Sequence, residues 1–174
     1  TSNPVGGVPV TGFTANVSVS ERPRFTWLAG GGGFTRTEDT GLVVDPKTGA
    51  ALIIPTVIVQ QVAVTTDTKV IDVDGHFGVD HRITGTGTAQ VFTGGREYQT
   101  TWTQPASGPP QFTLADGTPA PLPPGEVWIS LVPIGQPAVA TSIAAGATGP
   151  APLPTRLAAE SEGFPPPDAC LTAL

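Results

Sequence analysis

The sequence predicts a mostly β domain, either an antiparallel sandwich or a partly open barrel. Short runs rich in Val, Ile, Thr and aromatic residues recur about every ten residues, with turn-forming residues between them. The 174 residues include 22 Gly and 20 Pro, which favour tight turns and interrupt helices. This length suits one domain with its own hydrophobic core.

Three segments differ in pattern. Residues 1–12 lack periodicity and are predicted to be an extended lead-in, residues 13–133 carry the strand pattern, and residues 134–174 form a Pro/Ala/Gly-rich C-terminal tail. Good helix formers follow a proline at residues 154–162, so we expect at most a short helix in the tail. Cys170 is the single cysteine, which excludes an internal disulfide and a cysteine-based metal site.

The first half of the strand pattern begins with residues 13–20, in which alternation around two valines predicts a half-buried strand. Residues 25–27 and 34–36 flank four consecutive glycines and predict a hairpin. The segment Asp-Pro-Lys-Thr-Gly at residues 45–49 predicts a turn between two strands. Residues 56–64 are almost continuously apolar and β-branched, so we expect a central strand buried on both faces.

The second half continues the strand-and-turn pattern. Residues 86–92 and 97–102 flank Thr-Gly-Gly, which predicts a hairpin. Residues 111–114 and 126–132 are further strands, separated by a turn at Ala-Asp-Gly-Thr and a proline-rich stretch.

Composition excludes some classes of partner. The net charge is −6 and 13% of the residues are charged, so the chain has no basic surface to attract nucleic acid. No run approaches the ~20 apolar residues of a membrane-spanning helix, which predicts no transmembrane segment in this chain. Few charges, no Met and abundant Thr, Gly, Pro and Ala are typical of exported bacterial proteins.

The polar segment at residues 67–81 contains both histidines and is the candidate metal site. Carboxylates are hard ligands for calcium, and imidazoles suit zinc. The segment lacks the closing Glu of a calcium loop and the Glu of a His-Glu-x-x-His helix, so we expect a solvated turn and no cofactor, with Ca or Zn as the alternative. The candidate ligands are Asp72, Asp74, His76, Asp80 and His81.

Aromatic residues on the predicted strands are the candidate ligand-binding residues: Trp27, Trp102, Trp128 and Tyr98. If they face outward, they could stack on sugar rings or bury a partner surface. The alternative is that they fill the core. No Gly-x-Ser-x-Gly sequence occurs, so a Ser-His-Asp hydrolase has no local signature and we assign no catalytic residues.

The order of the motifs carries more information than any one of them. Phe-Thr-Arg at residues 34–36, the turn at 45–49, Thr-Val-Ile-Val-Gln-Gln at 56–61 and Pro-Gly-Glu-Val-Trp at 124–128 follow one another, with Thr-Trp and Asp-Gly pairs between the last two. In this order they resemble the C-terminal domain of the YerB-like family of bacterial lipoproteins, over about residues 13–133.

The resemblance implies a protein of unknown function that is extracytoplasmic, either secreted or lipid-anchored at the bacterial cell surface. It also implies an N-terminal domain that this sequence does not contain. We therefore expect a non-catalytic binding, scaffolding or assembly domain whose partner is a cell-wall polymer or another envelope protein. The alternative is a metal-dependent or cell-wall-modifying enzyme that uses the segment from Asp72 to His81.

Overall fold

A computed structural model describes residues 6–142, which contain thirteen strands in two sheets and no helix. The short helix predicted in the tail, and Cys170, lie outside the described residues. The strands, in chain order, are β1 (Val8–Pro9), β2 (Gly12–Thr14), β3 (Arg24–Leu28), β4 (Gly33–Glu38), β5 (Gly41–Leu42), β6 (Ile53–Ile54), β7 (Thr56–Ile71), β8 (Phe77–Arg82), β9 (Gly85–Thr93), β10 (Arg96–Gln104), β11 (Gln111–Thr113), β12 (Val127–Pro133) and β13 (Val139–Thr141).

The described strands form a sandwich rather than a closed barrel. The first sheet has the order β1-β10-β9-β7-β12, with β11 beside β10 and β8 beside β7. The second sheet has the order β13-β2-β3-β4-β5, with β6 beside β4. All pairs are antiparallel except β12 with β7, which run parallel from Val127 opposite Thr56 to Pro133 opposite Val62. The predicted mostly β, mostly antiparallel sandwich is confirmed.

Most of the predicted turns are present. The glycine-rich hairpin joins β3 to β4, and the Thr-Gly-Gly hairpin joins β9 to β10. At residues 45–49 the Asp45 Oδ1 atom accepts hydrogen bonds from the backbone amides of Lys47 (2.8 Å) and Thr48 (2.9 Å), and an isolated bridge pairs Val44 with Ala51 just outside this turn. These turns form because each is specified by its own side chains or glycines.

The strand predicted over residues 13–20 is wrong beyond Thr14, where β2 ends. The amides of Val17 and Ser18 both donate to the carbonyl oxygen of Glu21, and Ser18 Oγ accepts the Glu21 amide at 2.9 Å. These local bonds close a turn and compete with the ladder of a sheet. As a result Val19, which the alternation would bury, is 91% exposed.

Paired strands also extend on both sides of residues 13–133. β1 lies in the segment predicted as a lead-in and pairs with β10, and β13 lies in the segment assigned to the tail and pairs with β2. The two sheets therefore use residues from both flanking segments.

The first core lies between the two sheets. Phe13 is stacked with its ring centroid 3.6 Å from that of Phe92 and 4.8 Å from that of Phe25, so rings from both sheets are in contact. Val57 and Val59 of β7 complete this core. Aromatic contacts of this kind stabilise a core beyond the burial of area alone.

The second core lies on the opposite face of the first sheet. Ile58 and Val62 of β7 alternate with the valines of the first core, and they pack with Trp102 of β10. Phe112 and Ala120, from the chain between β10 and β12, cover this face. β7 is therefore buried on both faces over its first half and bonded on both edges, which confirms the predicted central strand.

The position of Phe13 predicts a large loss of stability on truncation. We expect Phe13→Ala to lower the free energy of unfolding by about 3–5 kcal/mol, because it leaves a cavity among three rings. The matched control is Phe77→Ala, at a half-exposed phenylalanine of β8, which should cost less than about 1 kcal/mol. Urea denaturation measures both, and equal losses would contradict the assignment of the core.

Candidate functional site

The second half of β7 leaves the sandwich as a two-stranded ribbon. β12 pairs with β7 only as far as Val62, and from Ala63 onward β7 pairs with β8, from Ala63 opposite Arg82 to Ile71 opposite Phe77. We call this ribbon, residues 63–82 with its connecting turn, the arm. Within the described part of the chain no third strand pairs with it.

The turn at the tip of the arm is closed by Asp72. Its Oδ1 atom accepts hydrogen bonds from the amides of Asp74 (2.9 Å) and His76 (2.8 Å), and Gly75 provides the positive φ of 85° that the turn requires. The backbone hydrogen bond from His76 contributes most to holding the pKa of Asp72 below its ordinary value. The sequence-predicted turn is therefore present and is stabilised by the charged carboxylate.

Three of the five candidate metal ligands come together at this tip. One ligand atom from each of Asp72, Asp74 and His76 lies within 4.8 Å of the others, and all three residues are exposed. Two carboxylates and an imidazole are chemically suited to zinc or calcium. Asp72 also has partners within the tip, since Oδ1 accepts the two amides and Oδ2 lies 3.4 Å from His76 Nδ1. Metal binding at the tip stays a prediction.

Asp80 and His81 do not join this group. They lie on β8, where Asp80 is opposite Thr65 and His81 is opposite Val64. Because successive residues of a strand point to opposite faces, the two side chains lie on different faces of the arm, several residues from the tip.

One face of the arm is mostly apolar. Residues directly opposite each other on paired strands share a face, which groups Ile71 with Phe77, Val79 with Thr66, and Val64 with His81. Val64 lies at the base, where it packs against the second core. Ile71, Phe77 and Val79 are 59%, 51% and 58% exposed. We call Val64, Ile71, Phe77 and Val79 the apolar face of the arm.

The other face of the arm is mostly polar. It carries Asp67, Asp80 and Arg82, and Val70, which is 57% exposed, lies over Gly78. Three additional residues of β7 form a bulge between Asp67 and Ile71, in which Asp67 Oδ1 accepts the amide of Lys69 at 2.8 Å. The arm is therefore an amphipathic ribbon, and the period-two spacing of Phe77, Val79 and His81 is the sequence signal that could have shown it.

The four candidate aromatic residues do not form one surface. Trp102 and Tyr98 are 2% and 3% exposed in the second core, and Trp102 Nε1 donates to the carbonyl oxygen of Gln61 at 2.9 Å. Trp27 and Trp128 are half-buried against the first core, on the other face of the first sheet. A binding role for these residues stays a prediction, and two of them contribute mainly to packing.

Two of the sequence motifs meet between the sheets. The Arg36 guanidinium of β4 lies 4.7 Å from the centroid of the Trp128 ring of β12, and its Nη2 atom is 2.8 Å from Glu38 and 3.4 Å from Glu21. A cation stacked on an indole and paired with carboxylates is stabilised by both contacts. The contact joins β4 of the second sheet to β12, which is an edge strand of the first sheet. Both motifs therefore have a structural role.

A model of the C-terminal domain of a protein of unknown function, DUF3048, matches residues 13–129. The chain belongs to this family. The matched residues include the arm, both faces of β7 and the Arg36–Trp128 contact.

A crystal structure of YerB from Bacillus subtilis has the same fold. Its TM-score is 0.57 at 21% sequence identity, and the similarity covers 75% of this chain and 43% of the YerB chain. The resemblance to the YerB-like family is thereby confirmed, and the chain spans less than half of YerB. No curated protein matches the sequence. No helix in the described residues is long and apolar enough to cross a membrane.

The Asp72 turn predicts an acid-sensitive tip. Because the folded pKa lies below the ordinary value of 3.8, the charged carboxylate adds stability that is complete above pH 3.8 and is lost as the pH falls through the folded pKa. We expect a ¹³C NMR titration of the Asp72 carboxyl to have its midpoint below 3.8, and the His76 amide shift to follow it. The control Asp72→Asn should remove that titration from the amide. A midpoint at or above 3.8 would contradict the hydrogen-bonded turn.

The same geometry predicts the response to metals. The tip is closed by its own hydrogen bonds, so we expect the melting temperature to be unchanged by Ca²⁺, Zn²⁺ or a chelator. A ligand that binds only the native state must raise the melting temperature. A rise with Zn²⁺ that disappears in Asp74→Ala would therefore favour the metal-dependent alternative instead.

Proposed function

We propose that this domain is a non-catalytic binding domain of an extracytoplasmic bacterial protein, and that the apolar face of the arm is its contact surface. The observation that supports the proposal is the arm itself. Ile71, Phe77 and Val79 are about half exposed on one face of a two-stranded ribbon that extends beyond the sandwich.

Leaving this face in water costs free energy. Each Å² of apolar surface removed from water is worth about 25 cal/mol, so a partner that covers these side chains gains binding energy. Contiguous apolar surface with a polar rim is typical of interaction sites. Two-stranded ribbons are only marginally stable by themselves, and covering one face would stabilise the arm as well.

The chemistry of the face favours a protein partner over a cell-wall polymer. Sugars are bound by flat aromatic rings together with directed hydrogen-bond donors and acceptors. The apolar face of the arm offers three aliphatic side chains and one phenylalanine. Another protein of the cell envelope, with an exposed apolar surface of its own, is the matching class.

A second candidate function is a metal-dependent enzyme that uses the tip of the arm. The observation in its favour is the proximity of Asp72, Asp74 and His76. Ligand and substrate sites are normally concave, whereas all three of these residues are exposed on a protruding turn. The binding function is therefore the better supported of the two.

Site-directed photo-crosslinking tests the binding function. We expect benzoyl-phenylalanine in place of Phe77, in the full chain expressed in its native host, to give a discrete protein adduct on irradiation. The control position is Val19, which is more exposed and lies in the turn between β2 and β3. Absence of an adduct at Phe77, or equal labelling from both positions, would contradict the proposal.

A further inference from the structure

We infer that Asp74, at the tip of the arm, is a site of spontaneous covalent modification, at which aspartate converts to isoaspartate through a cyclic succinimide. The inference does not depend on the proposed function. It rests on the two turns that hold the two Asp-Gly pairs of the sequence, at residues 74–75 and 116–117. Their backbones are closely similar, but the structure leaves the carboxylate free in one turn and binds it in the other.

Asp-Gly pairs offer little hindrance to this reaction. The amide nitrogen of the glycine attacks the side-chain carboxyl carbon of the aspartate, and the amide proton leaves with the carboxyl hydroxyl group as water. A second water molecule then opens the ring at the main-chain carbonyl carbon and breaks its bond to the glycine nitrogen. The chain afterwards continues through the aspartate side chain. Glycine has no Cβ atom to obstruct the ring closure.

The turns at residues 72–76 and 114–118 have closely similar backbones. In each, the amide of the first residue donates to the carbonyl oxygen of the fifth, at 2.9 and 2.7 Å. The amide of the glycine donates to the carbonyl oxygen of the first residue, at 3.1 and 2.9 Å. Gly75 and Gly117 have φ angles of 85° and 82°. A difference in reactivity must therefore come from the side chains and the surroundings of the two turns.

The two carboxylates differ in their hydrogen bonds. Asp116 Oδ1 accepts the backbone amide of Thr118 at 2.9 Å and its hydroxyl group at 2.6 Å. At the tip the corresponding amide belongs to His76, and it donates instead to Asp72 Oδ1 at 2.8 Å. Asp72 therefore takes the donor that corresponds to the one bound by Asp116. Within residues 6–142, no hydrogen bond holds the Asp74 carboxylate.

An unbound carboxyl group can rotate toward the amide that attacks it. The Asp116 carboxylate must first give up two hydrogen bonds, and bonds to a charged group are among the stronger ones in proteins. The side-chain hydrogen bond from Thr118 also contributes most to holding the pKa of Asp116 below its ordinary value. This disfavours the neutral carboxyl group that releases water. Ring closure is therefore easier at Asp74.

The surroundings of the two turns favour the same site. Residues 114–118 lie between Phe112 and Ala120, which are both buried in the second core. The tip ends a two-stranded ribbon, and Val73 within it is fully exposed. Local opening needs least free energy where few buried contacts oppose it. The backbone movement that ring closure requires therefore costs less at the tip.

Isoaspartate at this position would change the shape of the tip. It adds one methylene group to the main chain between Asp72 and Gly75, whose hydrogen bond closes the turn. The donor and acceptor then no longer face each other in the geometry that a hydrogen bond needs. The tip of the arm would thus open progressively as the protein ages.

Prolonged incubation of the full chain in H₂¹⁸O at neutral pH, followed by peptide mass spectrometry, tests the inference. Each passage through the ring brings one ¹⁸O atom into the residue, and electron-transfer fragmentation distinguishes isoaspartate from aspartate. We expect label and isoaspartate to accumulate at least about tenfold faster at Asp74 than at Asp116, whose hydrogen bonds must break first. In urea the two rates should become similar, because both turns are lost.

Two variants separate the causes. Thr118→Val removes the hydroxyl donor with little change of shape and should speed the reaction at Asp116 about threefold to tenfold. Asp72→Leu gives the tip the residue type that begins the other turn. It should slow the reaction at Asp74, because the His76 amide is then available to that carboxylate. A variant that merely loosened the tip would speed the reaction instead. Thermal melts confirm that each variant is folded.

The outcomes that contradict the inference are distinct. Equal rates at Asp74 and Asp116 in the folded protein, a faster reaction at Asp116, or no label at Asp74 overturns the assignment of the site. A rate at Asp74 that Asp72→Leu leaves unchanged or raises overturns the positioning role of Asp72. A rate at Asp116 that Thr118→Val does not raise overturns the protective role of that hydroxyl group.

Discussion

The structure depends on one strand that is buried on both faces. Over its first half β7 alternates between two cores, with Val57 and Val59 on one face and Ile58 and Val62 on the other. Each face must be covered, which requires the second sheet on one side and the chain between β10 and β12 on the other. Beyond Val62, β12 no longer pairs with the edge of β7. Within the described residues, β8 is then the one strand that pairs with β7. The arm is therefore formed by the part of the central strand that the sandwich does not enclose, paired with β8.

The sequence was sufficient to predict the elements that a few neighbouring residues specify. Gly94 and Gly95 both have positive φ, at 57° and 71°, as a two-residue hairpin turn between right-twisted strands requires. Asp45 bonds the amides two and three residues ahead of it. The apolar run that begins at Thr56 had to be central because neither of its faces tolerates water.

The sequence was not sufficient to predict features that depend on residues far apart in the chain. The parallel pairing of β12 with β7 joins residues about seventy positions apart, and no local pattern specifies it. The five candidate metal ligands were grouped by their proximity along the chain. The hairpin divides them, because Asp72, Asp74 and His76 fall in the turn while Asp80 and His81 fall on alternate faces of a strand. The local signal for the arm is weak, because only Phe77 and Val79 alternate as apolar residues along β8.

The last strands to be synthesised are the ones that complete the two sheets. β12 completes the edge of the first sheet beside β7, and β13 completes the second sheet beside β2, so each sheet ends with a strand from residues 127–141. Until those residues leave the ribosome, one edge of β7 has no partner strand and Arg36 lacks its contact with Trp128. Such long-range pairing slows folding and exposes unpaired strands to other chains. The emerging chain must therefore wait for its last strands before either sheet is complete.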